Sequence, residues 1–277
     1  MLGRKRRKKF GLLLTALAIG VAGVFIFYQN NTIDVSRFNI SNERASALRI
    51  VHLSDLHGKQ FGAENIDLVS EIVVQNPDLI VVTGDTIHYT ADNLDEMVSF
   101  MGALSQRAPV VCISGNHEWR SVVRDSFFAQ LEERGIIVLE NEIRTLDING
   151  STVHVLGLDE RLRGRKDISN SGLLLAELSE MSGLRVALTH YPQYYALAGE
   201  SSYNQYDFDL MFAGHAHGGQ WNLPFVGSIY AHGQGYLPPY TRGLYDERLL
   251  VSAGLGNSHF PLRIFNYPHL IVAQINE

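Results

Sequence analysis

Seven side chains able to bind a cation fall in five short clusters of this sequence. They are Asp55 and His57 in Ser54-Asp55-Leu56-His57, Asp85 after Gly84, Asn116 in Gly115-Asn116-His117-Glu118, His190 after Thr189, and His215 and His217 in Gly214-His215-Ala216-His217. Two carboxylates, four imidazoles and one amide oxygen make a mixed oxygen and nitrogen donor set, which suits Mn, Fe, Zn or Ni better than an all-oxygen Ca or Mg cage does. In Asp55-x-His57 and His215-x-His217 the side chains stand two residues apart, so an extended backbone would turn both to one side and let each pair grip one cation jointly. Taken singly, a Gly-Asp dipeptide is a turn and a strand-end histidine is a structural residue. The signal is the full set in this order.

Stepping along the chain, each cluster follows an apolar run with β-branched residues. Runs at 48–53, 79–83, 110–113, 152–158, 185–189 and 209–213 read as strands. Between the early runs, Ile66 to Val73, Leu94 to Leu104 and Val122 to Leu131 have helical spacing. Strand, loop and helix in alternation predict an α/β domain, and ligands in open α/β sheets gather at the carboxyl ends of strands, where these seven stand. Gly84, Gly115 and Gly214 fit tight turns that bring backbone close to bound ions. Later, a Gly, Pro and Tyr-rich stretch at 224–245 and short runs at 249–253 and 270–274 predict a second sheet with hairpins. Cys112, the single cysteine, lies in an apolar stretch and reads as a core residue.

The front of the chain is of another kind. Residues 4–9 are all basic, and residues 10–28 carry no charge and approach the ~20 apolar residues that span a bilayer. We read 1–9 as a basic cytoplasmic tail, 10–28 as a transmembrane anchor or export signal, 29–46 as a polar tether and 47–277 as one folded domain. Cationic flanks stay on the cytoplasmic side, which predicts a single-pass protein of the cell membrane with its N-terminus inside and its body outside. A cleaved secretory signal, or an Arg-Arg export signal built on Arg6-Arg7, would instead release the body on that same side. Without the six leading basic residues, 17 basic residues face 29 acidic ones, a net charge near −12. A body that acidic repels polyanions, so duplex nucleic acid is not an expected partner.

In context the clusters read Leu-Ser-Asp-Leu-His, Thr-Gly-Asp, Ser-Gly-Asn-His-Glu, Leu-Thr-His-Tyr-Pro and Ala-Gly-His-Ala-His-Gly-Gly-Gln. With them the chain resembles the calcineurin-like metallophosphoesterase superfamily from about Ile50 to Gly219. The apolar front and the stretch Gly-Leu-Gly-Asn-Ser-His-Phe-Pro-Leu-Arg at 254–263 are similar to its bacterial, membrane-associated YkuE/YaeI-like branch. The resemblance implies an α/β fold, a four-layer α/β/β/α sandwich of two mixed β-sheets, preceded by the N-terminal transmembrane helix, with the site at one edge of the sandwich. It also implies that Asp55, His57 and His217 bind one divalent ion and that Asn116, His190 and His215 bind a second. Asp85 would bridge the two, and His117 would stay free of metal near the leaving-group oxygen.

Two cations about 3.5–4 Å apart bind a phosphoryl oxygen, lower the pKa of a bridging water and neutralise the departing oxygen. The expected activity is hydrolysis of phosphate esters, diesters before monoesters, by attack of a metal-bridging hydroxide at the cell envelope. His117 is the expected catalytic side chain. Arg161, Arg163 and Arg165 are candidates to grip a phosphate, and Tyr240, Arg242, Asn257, His259 and Arg263 to line the pocket. His52, His88, His154, His232 and His269 carry no assigned role. Rival readings are a phosphomonoesterase, a lipid or nucleotide-sugar pyrophosphatase of the same fold, and a non-catalytic, membrane-tethered metal-binding module. His117-Glu118 lacks the second histidine of H-E-x-x-H, and the chain has neither a G-x-S-x-G elbow nor a G-x-x-x-x-G-K-[ST] loop.

Overall fold

The computed structural model describes residues 2–159, 170–196, 199–257 and 260–276. Helix α1 (Leu2–Asn31) leads into β1 (Asp34–Ser41) and β2 (Leu48–Leu53). Then come α2 (Ile66–Val74), β3 (Leu79–Val82), α3 (Leu94–Ser105), β4 (Val110–Cys112), α4 (Asn116–Arg120) and α5 (Arg124–Glu132). The chain continues through β5 (Ile137–Val138), β6 (Glu142–Ile148), β7 (Ser151–Gly157), α6 (Ser171–Ser179), β8 (Leu184–Leu188) and β9 (Leu210–Ala213). Two small hairpins follow, β10 (Asn222–Leu223) with β11 (Gly227–Ser228), and β12 (Tyr230–Ala231) with β13 (Gly235–Tyr236). Strands β14 (Gly243–Tyr245), β15 (Leu249–Val251) and β16 (His269–Asn276) complete it.

Two mixed sheets result, in the orders β1-β16-β2-β3-β4-β5 and β14-β15-β9-β8-β7-β6. Strands β2, β3 and β4 run parallel in the first, and β7, β8, β9 and β15 in the second. Alternation along the strands divides the apolar residues between two faces. Leu48, Ile50, Leu79 and Val81 enter a core shared with Val155, Val186, Phe212 and Leu250 of the facing sheet. Val51, Leu53, Ile80 and Val82 point the other way, against Leu68, Ile72, Met97, Met101 and Phe127 of α2, α3 and α5. The outer face of the second sheet is covered by Leu175 and Leu178 of α6 and by Tyr191, Tyr194, Tyr195 and Tyr203. This is the expected four-layer sandwich, with tyrosine-rich loops filling much of the second outer layer. Cys112, on β4, is buried between the first sheet and its covering helices.

The front of the body differs from the tether expected at 29–46. Residues Asp34–Ser41 form β1, which pairs in parallel with β16 from Asp34 opposite His269 to Ser41 opposite Asn276. The folded unit therefore begins at Asp34. An edge strand with one solvated face carries polar residues, so its composition resembles a linker. Within α1, Lys8–Asn31 is long and apolar enough to cross a membrane; its apolar stretch is not buried against the body, which buries only Gln29 and Asn30 at the helix end.

Candidate metal centre

The carboxyl ends of β2, β3, β4, β8 and β9 meet at one edge of the sandwich, and the seven candidate ligands stand just beyond them. Five of these ligands leave the extended region: Asp55, His57, Asp85, His215 and His217 have φ between 47° and 63°. Such left-handed backbone costs a non-glycine residue about 1–2 kcal/mol, and the surrounding loops hold it by cross-links. The Asp55 N–H donates to Gly84 O (3.0 Å), His57 N–H to Asp85 O (2.9 Å) and Gly256 N–H to Asp55 O (2.6 Å). The loops also touch where no side chain fits. A Cβ on Gly84 would lie 2.3 Å from the Gly115 nitrogen, and one on Gly214 would lie 1.9 Å from Ser54 Oγ.

Two groups of donor atoms result. In one, His217 Nε2 stands 3.1 Å from His57 Nε2 and 3.5 Å from Asp55 Oδ1. In the other, His190 Nε2 stands 3.1 Å from His215 Nδ1, 3.2 Å from Asn116 Oδ1 and 3.4 Å from Asp85 Oδ2. Donors each ~2.0–2.1 Å from one ion lie about 3.0–3.4 Å apart, so these spacings fit a cation at each group. Asp85 Oδ2 is also 3.7 Å from His57 Nε2, which places this oxygen between the groups. The joint grip expected of the pair His215 and His217 does not occur: the two rings belong to different groups. Side chains two residues apart share a side only where the backbone is extended, and here both residues are left-handed. A third combination, His57, Asp85 and His117, comes within comparable reach.

A supporting layer orients these ligands. His190 Nδ1 lies 2.7 Å from the Thr83 carbonyl, to which it donates, and this turns Nε2 toward the site. Asp55 accepts the His215 N–H at 2.9 Å, and Asp85 Oδ1 accepts the His117 N–H at 2.7 Å. Glu118 is committed to backbone: its carboxylate accepts from the N–H groups of Asp85 (2.8 Å), Gly115 (2.9 Å) and Ile87 (3.1 Å). It thus ties the Asp85 loop to α4, a positioning role.

Burial lowers the proton affinity of most of these imidazoles. His57 falls to about 3, and His215 and His217 fall well below the ordinary histidine range. His190 goes the other way: burial opposes its charge, but Asp85 and then Asp55 raise it to about 10. Asp85, against its own burial, is held well below the carboxylate range chiefly by His190. The metal-free cluster therefore keeps a proton on His190 at neutral pH, and a cation must displace it. Titration of chelated protein with Mn or Zn should release about one proton per chain, and affinity should rise with pH until His190 deprotonates near 10. Calorimetry in buffers of different ionisation enthalpy reads this directly; binding with no proton exchange would contradict it.

A pocket of about 340 Å³ opens over the cluster, lined by Asp85, Asn116, His117, His215 and His217 together with Arg120, Gln193 and His232. Arg120, whose guanidinium lies 4.4 Å above the Tyr89 ring, is the one lining residue with a permanent positive charge among the described residues. The sequence held a cue to it, since Arg120 follows Asn116 by one helical turn on α4. His232 sits on a hairpin and had no such cue.

Several residues expected in the pocket are not among those that line it. Arg263 is wholly buried behind the ligands, with Nη2 3.5 Å from His217 Nδ1, and donates to the carbonyls of Ala253 (2.8 Å) and Gly256 and to Asn257 Oδ1 (3.0 Å). Asn257 in turn donates to Asn30 Oδ1 (3.2 Å) at the end of α1. Arg242 pairs with Asp34 at the start of β1, and Tyr240 packs between Tyr195 and Tyr245. Arg242, Asn257 and Arg263 build the junction between α1, β1 and the late loops, and Tyr240 belongs to the tyrosine layer over the second sheet. Arg161, Arg163, Arg165 and His259 lie outside the described residues.

Residues 48–219 match the family described as calcineurin-like phosphoesterase. The chain is 28% identical to the uncharacterized metallophosphoesterase YkoQ of Bacillus subtilis, over 95% of this chain and 99% of that one. It is 29% identical to the uncharacterized metallophosphoesterase YkuE of the same organism, over 81% and 77% of the two chains. A third relative, phosphodiesterase YaeI of Escherichia coli, is 25% identical over 86% of each chain.

Proposed function

Because this chain belongs to the calcineurin-like phosphoesterase family, we propose that it hydrolyses phosphodiesters with two divalent metal ions, Mn, Fe, Zn or Ni, while α1 anchors it in a membrane. The observation that carries this reading is the position of Asp85 Oδ2, within 3.4 Å of one ligand group and 3.7 Å of the other. Asp55, His57 and His217 would hold one ion, Asn116, His190 and His215 the second, and Asp85 both. When bound, such a pair supplies Lewis-acid polarisation of a phosphoryl oxygen and a lowered pKa for bound water. The preference for diesters is supported by YaeI, a relative named a phosphodiesterase. The basic residues ahead of α1 support an N-terminus in the cytoplasm with the body outside.

The chain's own groups then have distinct tasks. Arg120 and Gln193 both line the pocket with His117; Arg120 would bind a non-bridging phosphate oxygen and Gln193 would orient the ester. His117 is neutral near pH 7, because burial, only partly offset by Asp85, lowers it to about 4. Its Nδ1 accepts the Tyr89 N–H at 3.4 Å, so the ring proton resides on Nε2, where it can donate a hydrogen bond to the charge developing on a leaving oxygen.

The deciding experiment uses the full chain in detergent, stripped with chelator and reloaded with Mn, Zn, Fe, Ni or Mg before assay with aryl phosphate monoesters and diesters. The expected result is metal-restored hydrolysis that is faster on the diester. Faster cleavage of the monoester would reassign the substrate, and binding of metal with no hydrolysis of either ester would leave a tethered metal-binding module.

A further inference from the structure

The late loops carry an apolar surface with no obvious place in a solvated body. From Gly218 to Thr241 there is no Asp, Glu, Lys or Arg, in a chain where such residues make up 19%. The hairpins in this stretch hold Phe225, which is fully exposed, together with exposed Val226, Tyr236 and Leu237. Beside them Trp221 stacks edge-on with Phe260 at 5.2 Å. Contiguous exposed apolar surface of this kind marks a site of contact with a partner or a membrane.

Its position relative to α1 identifies the occupant. Phe265 lies edge-on to Phe25 of α1 at 5.4 Å, and Tyr267 faces Tyr28 at 6.4 Å. Asn30 Oδ1 accepts the Arg263 N–H (3.0 Å) and Gln29 Oε1 accepts the Asn266 N–H (3.1 Å), so the helix end is fixed to the same loop. Phe25 is six residues from the end of α1 at Asn31, about 9 Å along the axis. Phe265 therefore stands at the depth where a spanning helix enters hydrocarbon, and aromatic rings such as Trp221, Tyr230 and Tyr236 are suited to that boundary. A groove lined by His215, His217, Tyr230, His232 and Phe260 connects this surface with the metal centre.

We propose that the uncharged hairpins and the loop around Phe260 and Phe265 rest in the surface of the bilayer that α1 crosses, and that the groove admits the phosphate ester of a membrane-embedded amphiphile. The substrate class rests on the phosphoesterase reading; the membrane contact does not. The headgroup ester would lie over the ligands while the apolar part follows Tyr230 and Phe260 into the lipid.

Two measurements on the full chain in phosphatidylcholine vesicles separate these claims. Trp119 and Trp221 are the two tryptophans, so the emission lost in Trp221→Phe isolates Trp221. Brominated acyl chains should quench that emission, and an unquenched Trp221 overturns the membrane contact. The second measurement compares hexadecyl and ethyl esters of para-nitrophenyl phosphate. Phe225→Glu with Leu237→Glu, both at exposed positions, should lower the hexadecyl-to-ethyl ratio of kcat/KM about a hundredfold or more, the scale of losing burial of two such side chains. An unchanged ratio overturns the substrate class. If the metal-loaded wild-type chain cleaves neither ester, the phosphoesterase reading fails, and the quenching result still decides the contact.

Discussion

Asp85→Ala should reduce hydrolysis of an aryl phosphodiester by about a thousandfold or more and lower bound metal from about two ions per chain to one or fewer. The size follows from the position of this carboxylate. Its Oδ2 lies within reach of both donor groups, at 3.4 Å from His190 Nε2 and 3.7 Å from His57 Nε2. Its Oδ1 accepts the His117 N–H and so helps to place the side chain proposed to serve the leaving group. Alanine removes a negative charge that the two proposed cations would share, and Lewis-acid stabilisation by a pair of metal ions is worth several kcal/mol of the barrier, each 1.36 kcal/mol being tenfold in rate. Elemental analysis and the diester assay on the same preparation check both parts. Full activity with two ions retained would refute a bridging role for Asp85.

His117→Ala should lower kcat about a hundredfold or more for an ester with a poor leaving group, in the range that losing one hydrogen-bond donor to a developing oxyanion spans. The loss should shrink for a para-nitrophenyl ester, whose leaving oxygen carries less localised charge. Metal content should stay at the wild-type level, because the six other histidine, asparagine and aspartate donors and Asp85 remain in place. The distinction matters because His57, Asp85 and His117 also come within ligand reach of one another. A variant that loses an ion would make His117 a ligand. Equal losses for good and poor leaving groups would leave it in the site without its proposed hydrogen bond to the leaving oxygen.

The strand ends and the residues beyond them were readable because each parallel strand is an apolar run ended by a polar loop, and β2, β3, β4, β8 and β9 all finish at one edge. Asp55, His57, Asp85, Asn116, His190, His215 and His217 do converge there. Their partition was not readable from spacing, since the left-handed backbone at His215 and His217 cancels the two-residue rule. Strand β1 escaped because its sequence, Asp-Val-Ser-Arg-Phe-Asn-Ile-Ser, is polar enough for a linker and its partner β16 lies at the far end of the chain. Arg242, Asn257 and Arg263 looked like pocket residues for a related reason. Asp34 and Asn30, which engage them or their neighbours, are more than two hundred residues away in sequence.

Only Thr32 and Ile33 separate the last residue of α1 from the first of β1, a span of about 7 Å at full extension. With α1 seated in a bilayer, the catalytic edge has no stalk on which to swing or rise. Such an enzyme would meet its substrates by lateral diffusion, searching a plane and not a volume, and its turnover would follow the surface density of the ester in the membrane more closely than its bulk concentration.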